Sequence, residues 1–207
     1  MRRAKEGDAE ARTELFAHHR ERLRQMVRLR LDRRLYGRID PSDVLQEAFL
    51  DVAQRAAEYA ASPTMPVFLW LRFLTGQRLL MVHRRHLGAK MRDAGQEVSL
   101  YRGALPQASS VSLAAQLLGR MTSPSLAAVR AEMQLKLQEA LNGMDPIDRE
   151  VLTLRHFEEL SNAETAAALG IEPAAASKRY VRALARLKVI LESVPGFNTD
   201  DSRETPR

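Results

Sequence analysis

The 207-residue sequence contains no cysteine, which excludes disulfide bridges and thiolate metal sites and is typical of a reducing compartment. Aromatic residues make up only 5% of the chain, whereas Leu, Ala and Arg are abundant, so helix is favoured over strand. No apolar run approaches the roughly 18 residues of a membrane span, and the opening stretch MRRAKEGDAEARTELF has no apolar signal-peptide core. These absences predict a cytoplasmic, helical protein without a membrane segment.

The chain is basic, with a net charge of +6 and a pI near 10.0, while 45% apolar residues suffice for a packed core. A positive balance favours an anionic partner, most simply nucleic acid. A basic surface that binds nothing has the same composition. The way in which the cations are clustered must therefore decide between the two.

The first half of the chain shows three helical patterns. Apolar residues recur at helical spacing from Asp8 to about Leu35. In the following stretch DPSDVLQEAFLDVAQRAAEY, Asp40 suits an N-cap, Pro41 suits the first helical position, and Asp43 complements the helix dipole. A third helix is predicted from about Val67, apolar at first and then strongly basic.

The composition changes between residues 95 and 127, where Gly, Pro and Ser become frequent and a linker is predicted. Within this stretch, LAAQLLGRM is compatible with a short helix. A second helical block is predicted over residues 128–193, and the polar tail 194–207 is expected to be disordered. The sequence thus predicts a domain over 1–94, a linker, and a second domain.

The segment LSNAETAAALGIEPAAASKRYVRALARLK has the organisation of a helix-turn-helix. Ser161 and Glu164 fit a capping box, Gly170 supplies the turn, and Pro173 can open the second helix. In that second helix, Ala176, Val181, Leu184 and Leu187 are expected to supply apolar contacts. The polar residues predicted for its exposed, DNA-facing side are Ser177, Lys178, Arg179, Arg182 and Arg186. The alternative is an ordinary helical hairpin with a solvated basic face, but the combination of cap, turn and cations favours DNA binding.

Four stretches, in chain order, resemble the successive regions of bacterial RNA polymerase sigma factors: GDAEARTELFAHHRERL, DPSDVLQEAFLDVAQR, FLWLRFLTGQRLLMVHRRH and LNGMDPIDREVLTLRHFEELSNAETAAALGI. The resemblance is to the small two-domain extracytoplasmic function (ECF) group of the sigma-70 family, and it covers roughly residues 7–93 and 128–192. It implies an all-α protein in which a region 2-like bundle and a region 4-like helix-turn-helix domain are joined by a flexible linker.

The resemblance also implies a set of partners. The helix containing DVLQEAFLDV is similar to the one that docks on the clamp of the polymerase largest subunit, and its polar candidates are Asp43, Gln46, Glu47 and Asp51. The second domain would meet the flap of the second subunit. An anti-sigma factor is common in the group, although no residue here reveals one. The alternative for the docking helix is an amphipathic core helix with a wet outer face.

Promoter contacts follow from the same resemblance. The loop from Glu58 to Phe68 is similar to the segment that captures a flipped base of the −10 element. Including the helix that follows it, the −10 candidates are Tyr59, Met65, Phe68, Arg72, Gln77, Arg78, Arg84, Arg85 and His86. Tyr59 and Phe68 fit simple core packing equally well, and Trp70 is expected in the core. The −35 candidates are the polar residues of the recognition helix already named, and Ala176 and Ser177 depart from the family pattern there.

The leading interpretation is a sigma factor that binds core polymerase, recognises both promoter elements and aids melting of the −10 region. A free-standing helix-turn-helix regulator is the alternative. An enzyme is not expected, since no P-loop, GxSxG or HExxH motif is present. No cofactor is predicted. His83 and His86 lie three residues apart, but the neighbouring arginines would repel a metal ion.

Overall fold

The computed structural model describes residues 9–87, 105–119 and 127–192, and no β-strand occurs within these ranges. Eight α-helices are described there: α1 (Ala9–Arg30), α2 (Pro41–Ala61), α3 (Val67–Leu87), α4 (Ser110–Gly119), α5 (Ala127–Asn142), α6 (Pro146–Leu152), α7 (Asn162–Leu169) and α8 (Pro173–Glu192). A 3-10 turn (Arg33–Leu35) follows α1, and a π-helical turn (Thr153–Phe157) follows α6. The all-helical fold predicted from the sequence is confirmed.

Helices α1 to α3 form the first unit. The side chain of Asp40 accepts a hydrogen bond from the Ser42 N–H at 2.7 Å, and Pro41 occupies the first turn of α2, as the sequence predicts. Helix α1 ends at Arg30 rather than near Leu35, because the carboxylate of Asp32 caps the 3-10 turn that follows. The apolar faces of the three helices meet in one core, whose largest fully buried members include Leu23, Met26, Leu45, Leu71 and Leu74.

Helices α4 to α8 form the second unit. Helix α4 lies within the stretch that the sequence assigns to the linker, yet it packs against α5 and buries Leu113, Ala114, Leu117 and Leu118. The hydroxyl of Ser110 also meets Asn142 Oδ1 at 2.6 Å. These four residues recur at helical spacing, so α4 presents a continuous apolar stripe to α5. Part of the expected linker therefore belongs to the core of the second unit.

The helix-turn-helix forms as its capping signals predict. Ser161 Oγ accepts from the Glu164 N–H at 3.1 Å, and the Glu164 carboxylate accepts from the Ser161 N–H at 2.8 Å. Gly170 ends α7 with a left-handed φ of 61°, a conformation that glycine adopts readily because it has no side chain. The Asn162 amide then donates to the Pro173 carbonyl oxygen at 2.8 Å and ties the start of α7 to the start of α8.

The two units pack directly against each other. Leu154 and Leu160 of the second unit are buried in the first unit's core, while Leu29 of α1 is buried in the core of the second. Leu105 lies against Gly76 of α3, so close that a Cβ at Gly76 would overlap its Cδ2 atom at 1.6 Å. We call this packed state the closed arrangement. Among the described residues, no helix combines the length and apolarity that crossing a membrane requires.

Candidate nucleic-acid interface

The register of α8 determines which side chains are available to a ligand. Ala176, Ala183 and Leu187 are buried against the second unit, and Tyr180 lies partly buried beside them. Val181 and Leu184 are 64% and 36% exposed, so the prediction that they supply apolar core contacts is wrong. The buried face of α8 is formed by positions 176, 180, 183 and 187, which recur at helical spacing and include two alanines. Val181 and Leu184 lie outside this face.

Two of the predicted DNA-binding arginines are engaged inside the protein. Arg179 Nη1 donates to Asp148 Oδ1 at 2.8 Å, and Arg182 donates to both carboxylate oxygens at 2.6 and 2.7 Å. Asp148 is itself fully buried. The hydrogen bond from Arg182 is the largest influence that lowers the pKa of the Asp148 carboxyl, so this group is ionised at neutral pH. The three side chains fix α8 on α6, and Arg182 still leaves half of its side chain exposed.

The remaining predicted residues of α8, Ser177, Lys178 and Arg186, are exposed. Val181 and Ala185 lie between them on the same outer face, so small apolar groups alternate with cations there. Such a face can hold phosphates with its cations and can contact thymine methyl groups with its apolar atoms. Sequence reasoning missed Val181 because it placed this residue in the core.

The outer face of α2 carries the residues predicted to meet the polymerase. Asp43 and Gln46 are exposed. Asp51, in contrast, accepts two hydrogen bonds from the Arg78 guanidinium, and Glu47 lies 3.8 Å from Arg78 and 4.0 Å from Arg85. These pairs join α2 to α3 within the first unit. Residues predicted to contact the polymerase and residues predicted to contact DNA thus neutralise one another within the first unit.

Leu50 is the apolar centre of that α2 face, with 60% of its surface exposed. It follows Gln46 by four residues and Asp43 by seven, so these side chains lie on one stripe. Sequence reasoning did not single out Leu50. A signal was nevertheless available, since Leu50 breaks the polar pattern on the side of α2 opposite to Val44, Leu45, Ala48 and Val52.

The loop between α2 and α3 is held by Tyr59. The Tyr59 ring stacks on Trp70 with centroids 4.3 Å apart, and its hydroxyl donates to the Met65 carbonyl oxygen at 2.6 Å. Burial raises the pKa of the Tyr59 hydroxyl. Tyr59 and Met65 are half-buried, whereas Phe68 is buried and stacks against the Arg22 guanidinium at 3.6 Å. Trp70 lies in the core, as expected.

Helix α3 divides its predicted −10 residues between solvent and interior. Gln77, Arg84, Arg85 and His86 are exposed. His83 is buried, its Nε2 accepts a hydrogen bond from the Asp32 N–H at 3.1 Å, and burial lowers its pKa. This nitrogen therefore joins α3 to the turn after α1. Over the part of the chain that the structure describes, no cluster of three or more His, Asp and Glu residues could hold a metal ion.

Arg72 is buried at the junction of the two units and forms part of a cluster that sequence reasoning missed. Arg72 Nε donates to Glu158 Oε2 at 2.8 Å, and Arg30 donates to Glu158 Oε1 at 2.8 and 2.6 Å. Arg30 also pairs with Glu150. Burial alone raises the pKa of Glu158, but the charges of Arg30 and Arg72 outweigh burial and lower it. The available signal was the position of Arg30, four residues after Met26 on the buried face of α1.

Comparison with known proteins identifies the second unit. The family described as "Sigma-70, region 4" matches residues 134–187. The RNA polymerase sigma-E factor of Streptomyces avermitilis is 46% identical over 57 residues, which is 28% of this chain and 32% of the relative. The corresponding factor of Streptomyces antibioticus is 44% identical over the same length. The match thus spans about a third of these curated relatives.

The fold extends the likeness beyond that domain. The solved structure of CnrH in complex with the cytosolic domain of CnrY has a TM-score of 0.52 to this chain at 23% identity, covering 92% of this chain and 93% of the other. Residues 134–187 match the sigma-70 region 4 family, and the chain as a whole is similar to CnrH in fold. The ECF type, which the sequence motifs indicate, stays a prediction.

Proposed function

We propose that this protein binds core RNA polymerase as a dissociable subunit and directs transcription initiation from promoters with −35 and −10 elements. The observation that carries the proposal is the outer face of α8. On a helix whose inner face is fixed by the Ala183 and Leu187 contacts, Lys178 and Arg186 flank the exposed Val181. This arrangement suits a recognition helix in the major groove, and it lies within the region 4 match.

Binding to the polymerase is assigned to the outer face of α2. An apolar centre with a polar rim is the usual anatomy of a protein–protein interface. Leu50 supplies the apolar centre, and Asp43 and Gln46 supply the rim. Glu47 and Asp51 join this rim when Arg78 and Arg85 turn towards DNA. Polymerase docking is thereby coupled to freeing these two arginines for the −10 element.

The −10 contacts are assigned to the exposed end of α3 and to the loop before it. Gln77, Arg84, Arg85 and His86 offer hydrogen-bond donors on one helix. The Tyr59–Trp70 stack offers an aromatic surface next to the Met65 loop, as a displaced base requires. The assembly aids melting of the −10 region through these groups and performs no covalent reaction.

An inhibitory protein partner fits the same scheme. CnrH is solved in complex with the cytosolic domain of CnrY, and this chain shares its fold. We propose that a comparable partner occupies this protein in the resting cell by covering the α2 face around the exposed Leu50.

Reconstituted transcription tests the proposal. The purified chain is mixed with bacterial core RNA polymerase and genomic DNA fragments, and run-off transcripts are sequenced. We expect transcripts that share a two-part upstream motif and that vanish without the chain. Tight operator binding by the chain alone, together with no stimulation of polymerase, would instead identify a free-standing helix-turn-helix regulator.

A further inference from the structure

Three arginines of the first unit have their acceptors in the other half of the chain. Arg30 donates to Glu158, to Glu150 and to the Pro106 carbonyl oxygen, the last at 2.8 Å. Arg72 donates to Glu158. Arg22 donates to the carbonyl oxygens of residues 158 and 159, at 3.4 and 2.9 Å. Across residues 9–87, no carboxylate of the first unit is recorded as pairing with any of these three side chains.

Glu158 lies at the centre of this cluster, and its side chain is completely enclosed. Its two oxygens meet two different guanidinium groups, one from α1 and one from α3. A carboxylate and a phosphate present similar oxygen pairs to arginine, which is why arginine serves both. Glu158 therefore occupies the position that an anion bridging Arg30 and Arg72 would take.

The backbone next to Glu158 has a conformation that serves this placement. Glu159 has a φ of 57°, in the left-handed region that few residues other than glycine adopt. This turn directs the carbonyl oxygens of both residues 158 and 159 to Arg22. Because such a conformation is unfavourable, its presence at the contact between the units indicates that this contact has a function.

The closed arrangement is incompatible with simultaneous contact to both promoter elements. The elements at −35 and −10 are separated by roughly 25 base pairs, or about 85 Å of duplex at 3.4 Å per pair. A compact chain of this length has a radius of gyration of only about 17 Å. The closed arrangement also buries Arg72, one of the predicted −10 residues, against Glu158. The units must separate for promoter binding.

We propose that Glu158 is a phosphate mimic. Its carboxylate on Arg30 and Arg72, together with the carbonyl oxygens of residues 158 and 159 on Arg22, closes the protein by occupying a DNA-backbone site that the three arginines present once the units separate. The inference rests on the proposed promoter-binding function, and it adds Arg22 and Arg30 to the residues that contact DNA. Closure and DNA binding compete for one set of arginines. Salt weakens DNA binding through the counterion effect, whereas it screens the enclosed ion pairs of Glu158 much less.

The physical chemistry favours such an exchange. Burying ion pairs removes hydration from every charge, so the net stability of the closed arrangement is modest even though its contacts are many. Separation leaves three arginines on one face of the first unit with no acidic partner of their own. A polyanion is then the ligand that best replaces Glu158, and its binding releases counterions.

The absence of cysteine permits a direct test in the full-length chain. Exposed residues Gln54 of α2 and Ala131 of α5 are changed to cysteine and labelled with a donor and an acceptor dye. Energy transfer reports the separation of the units, and fluorescence anisotropy reports binding to a 30-nucleotide poly(dT) strand and to a random-sequence duplex. The variants are Glu158→Gln, Glu158→Gln with Arg72→Gln, and the matched control Glu139→Gln, an exposed glutamate on α5.

We expect DNA to lower energy transfer in the unsubstituted protein. Glu158→Gln should lower it without DNA and tighten binding of both DNA probes at least fivefold more than Glu139→Gln does. Adding Arg72→Gln should reverse that gain and reduce the duplex salt slope by about 1, the value of one lost phosphate contact. If Glu158→Gln does not fold by circular dichroism, Leu160→Ser opens the same contact with every charge retained and should tighten DNA binding likewise.

Equal DNA affinity for Glu158→Gln and Glu139→Gln, or no loss on adding Arg72→Gln, would overturn the phosphate-mimic proposal. These measurements contain no polymerase, so their outcome can be compared with that of the transcription experiment, which tests the proposed function. If the protein supports transcription but Glu158→Gln changes neither energy transfer nor DNA affinity, the phosphate-mimic proposal is rejected and the proposed function stands. Opening and arginine-dependent DNA binding without polymerase-dependent transcription would support the mimic and reject the sigma-factor function.

Discussion

Arg182 holds the buried carboxylate of Asp148 with two hydrogen bonds, 2.6 Å from Nε and 2.7 Å from Nη2. Asp145 caps α6 and Asp148 lies within its first turn, so the same short stretch both starts α6 and anchors α8. The angle at which α8 is presented is therefore set by a charge pair as well as by apolar packing. Arg182 thus fixes the orientation of α8 on α6.

Replacing Asp148 with Ala should destabilise the second unit. The change leaves two arginines without their acceptor, and hydrogen bonds to charged groups of this kind are worth about 2 kcal/mol. The free energy of unfolding should fall by that amount in urea titrations followed by far-UV circular dichroism. Arg182→Ala is the control and should cost less, because Arg179 still satisfies Asp148. Trp70, the chain's single tryptophan, reports the first unit, and an equal shift of its fluorescence transition would contradict the local assignment.

Local features of this protein were accessible from its sequence, because each depends on residues a few positions apart. The Asp40 cap, the Ser161–Glu164 capping box and the left-handed Gly170 all form as predicted. The sigma-70 resemblance also led to the correct fold. The individual promoter and polymerase contacts assigned from that resemblance remain predictions.

Features that depend on distant residues were not accessible. Arg30 and Glu158 are 128 positions apart, and nothing in either neighbourhood indicates that they meet. Arg72 is buried because it pairs with the same Glu158. An arginine that was predicted to bind DNA therefore lies inside the junction between the units. The register of α8 was misjudged for a different reason. Ala176 and Ala183 define its inner face, and small residues give a weak hydrophobic pattern beside the larger Val181 and Leu184.

Lys178→Ala should weaken DNA binding by the polymerase complex almost equally on all promoters. Lys178 is exposed on the outer face of α8, where an ammonium group holds a phosphate and reads no base. The slope of log affinity against log salt concentration should fall in magnitude by about 1. The measurement is duplex binding by the reconstituted complex between low and moderate salt. A promoter-dependent loss would instead show that Lys178 contacts a base.

Val181→Ser should change promoter preference rather than overall affinity. An exposed valine between cations can contact a thymine methyl group, and losing one such contact costs about 1 kcal/mol at a single base pair. Transcription from a library of −35 variants should show reduced discrimination at one position. Val189→Ser is the matched control, since Val189 is 65% exposed on the same helix but lies two turns later. An identical preference for the variant and the unsubstituted protein would remove Val181 from base contact.

Leu50→Asp should reduce binding to core polymerase at least tenfold without changing helical content. A charged group in place of the apolar centre of the α2 face leaves an unpaired carboxylate in the interface. Binding is measured with labelled protein and core enzyme in the absence of DNA. Met81→Asp is the control, because Met81 is a 51% exposed apolar residue on α3, outside the α2 face. Equal losses for the two variants would place the docking surface elsewhere.

Acid should open the contact around Glu158. Its folded-state pKa lies below the ordinary value of 4.5, so its carboxylate contributes full stability above about pH 4.5, and that contribution is lost as pH falls through the lowered pKa. The groups facing it are Arg22 and Arg30 of α1, Arg72 of α3 and Glu150 of α6. The arginines stay charged throughout, and Glu150 is present in both proteins compared.

The difference in unfolding free energy between the unsubstituted protein and Glu158→Gln should therefore shrink as pH falls from about 7 to about 3. Urea titrations at fixed ionic strength measure this difference, since salt would otherwise screen the same charges. Asp148 also has a lowered pKa, but it titrates identically in both proteins and cancels in the comparison. A difference that stays constant over this pH range would mean that Glu158 holds the two units together through its shape and neutral hydrogen bonds, with no contribution from its charge.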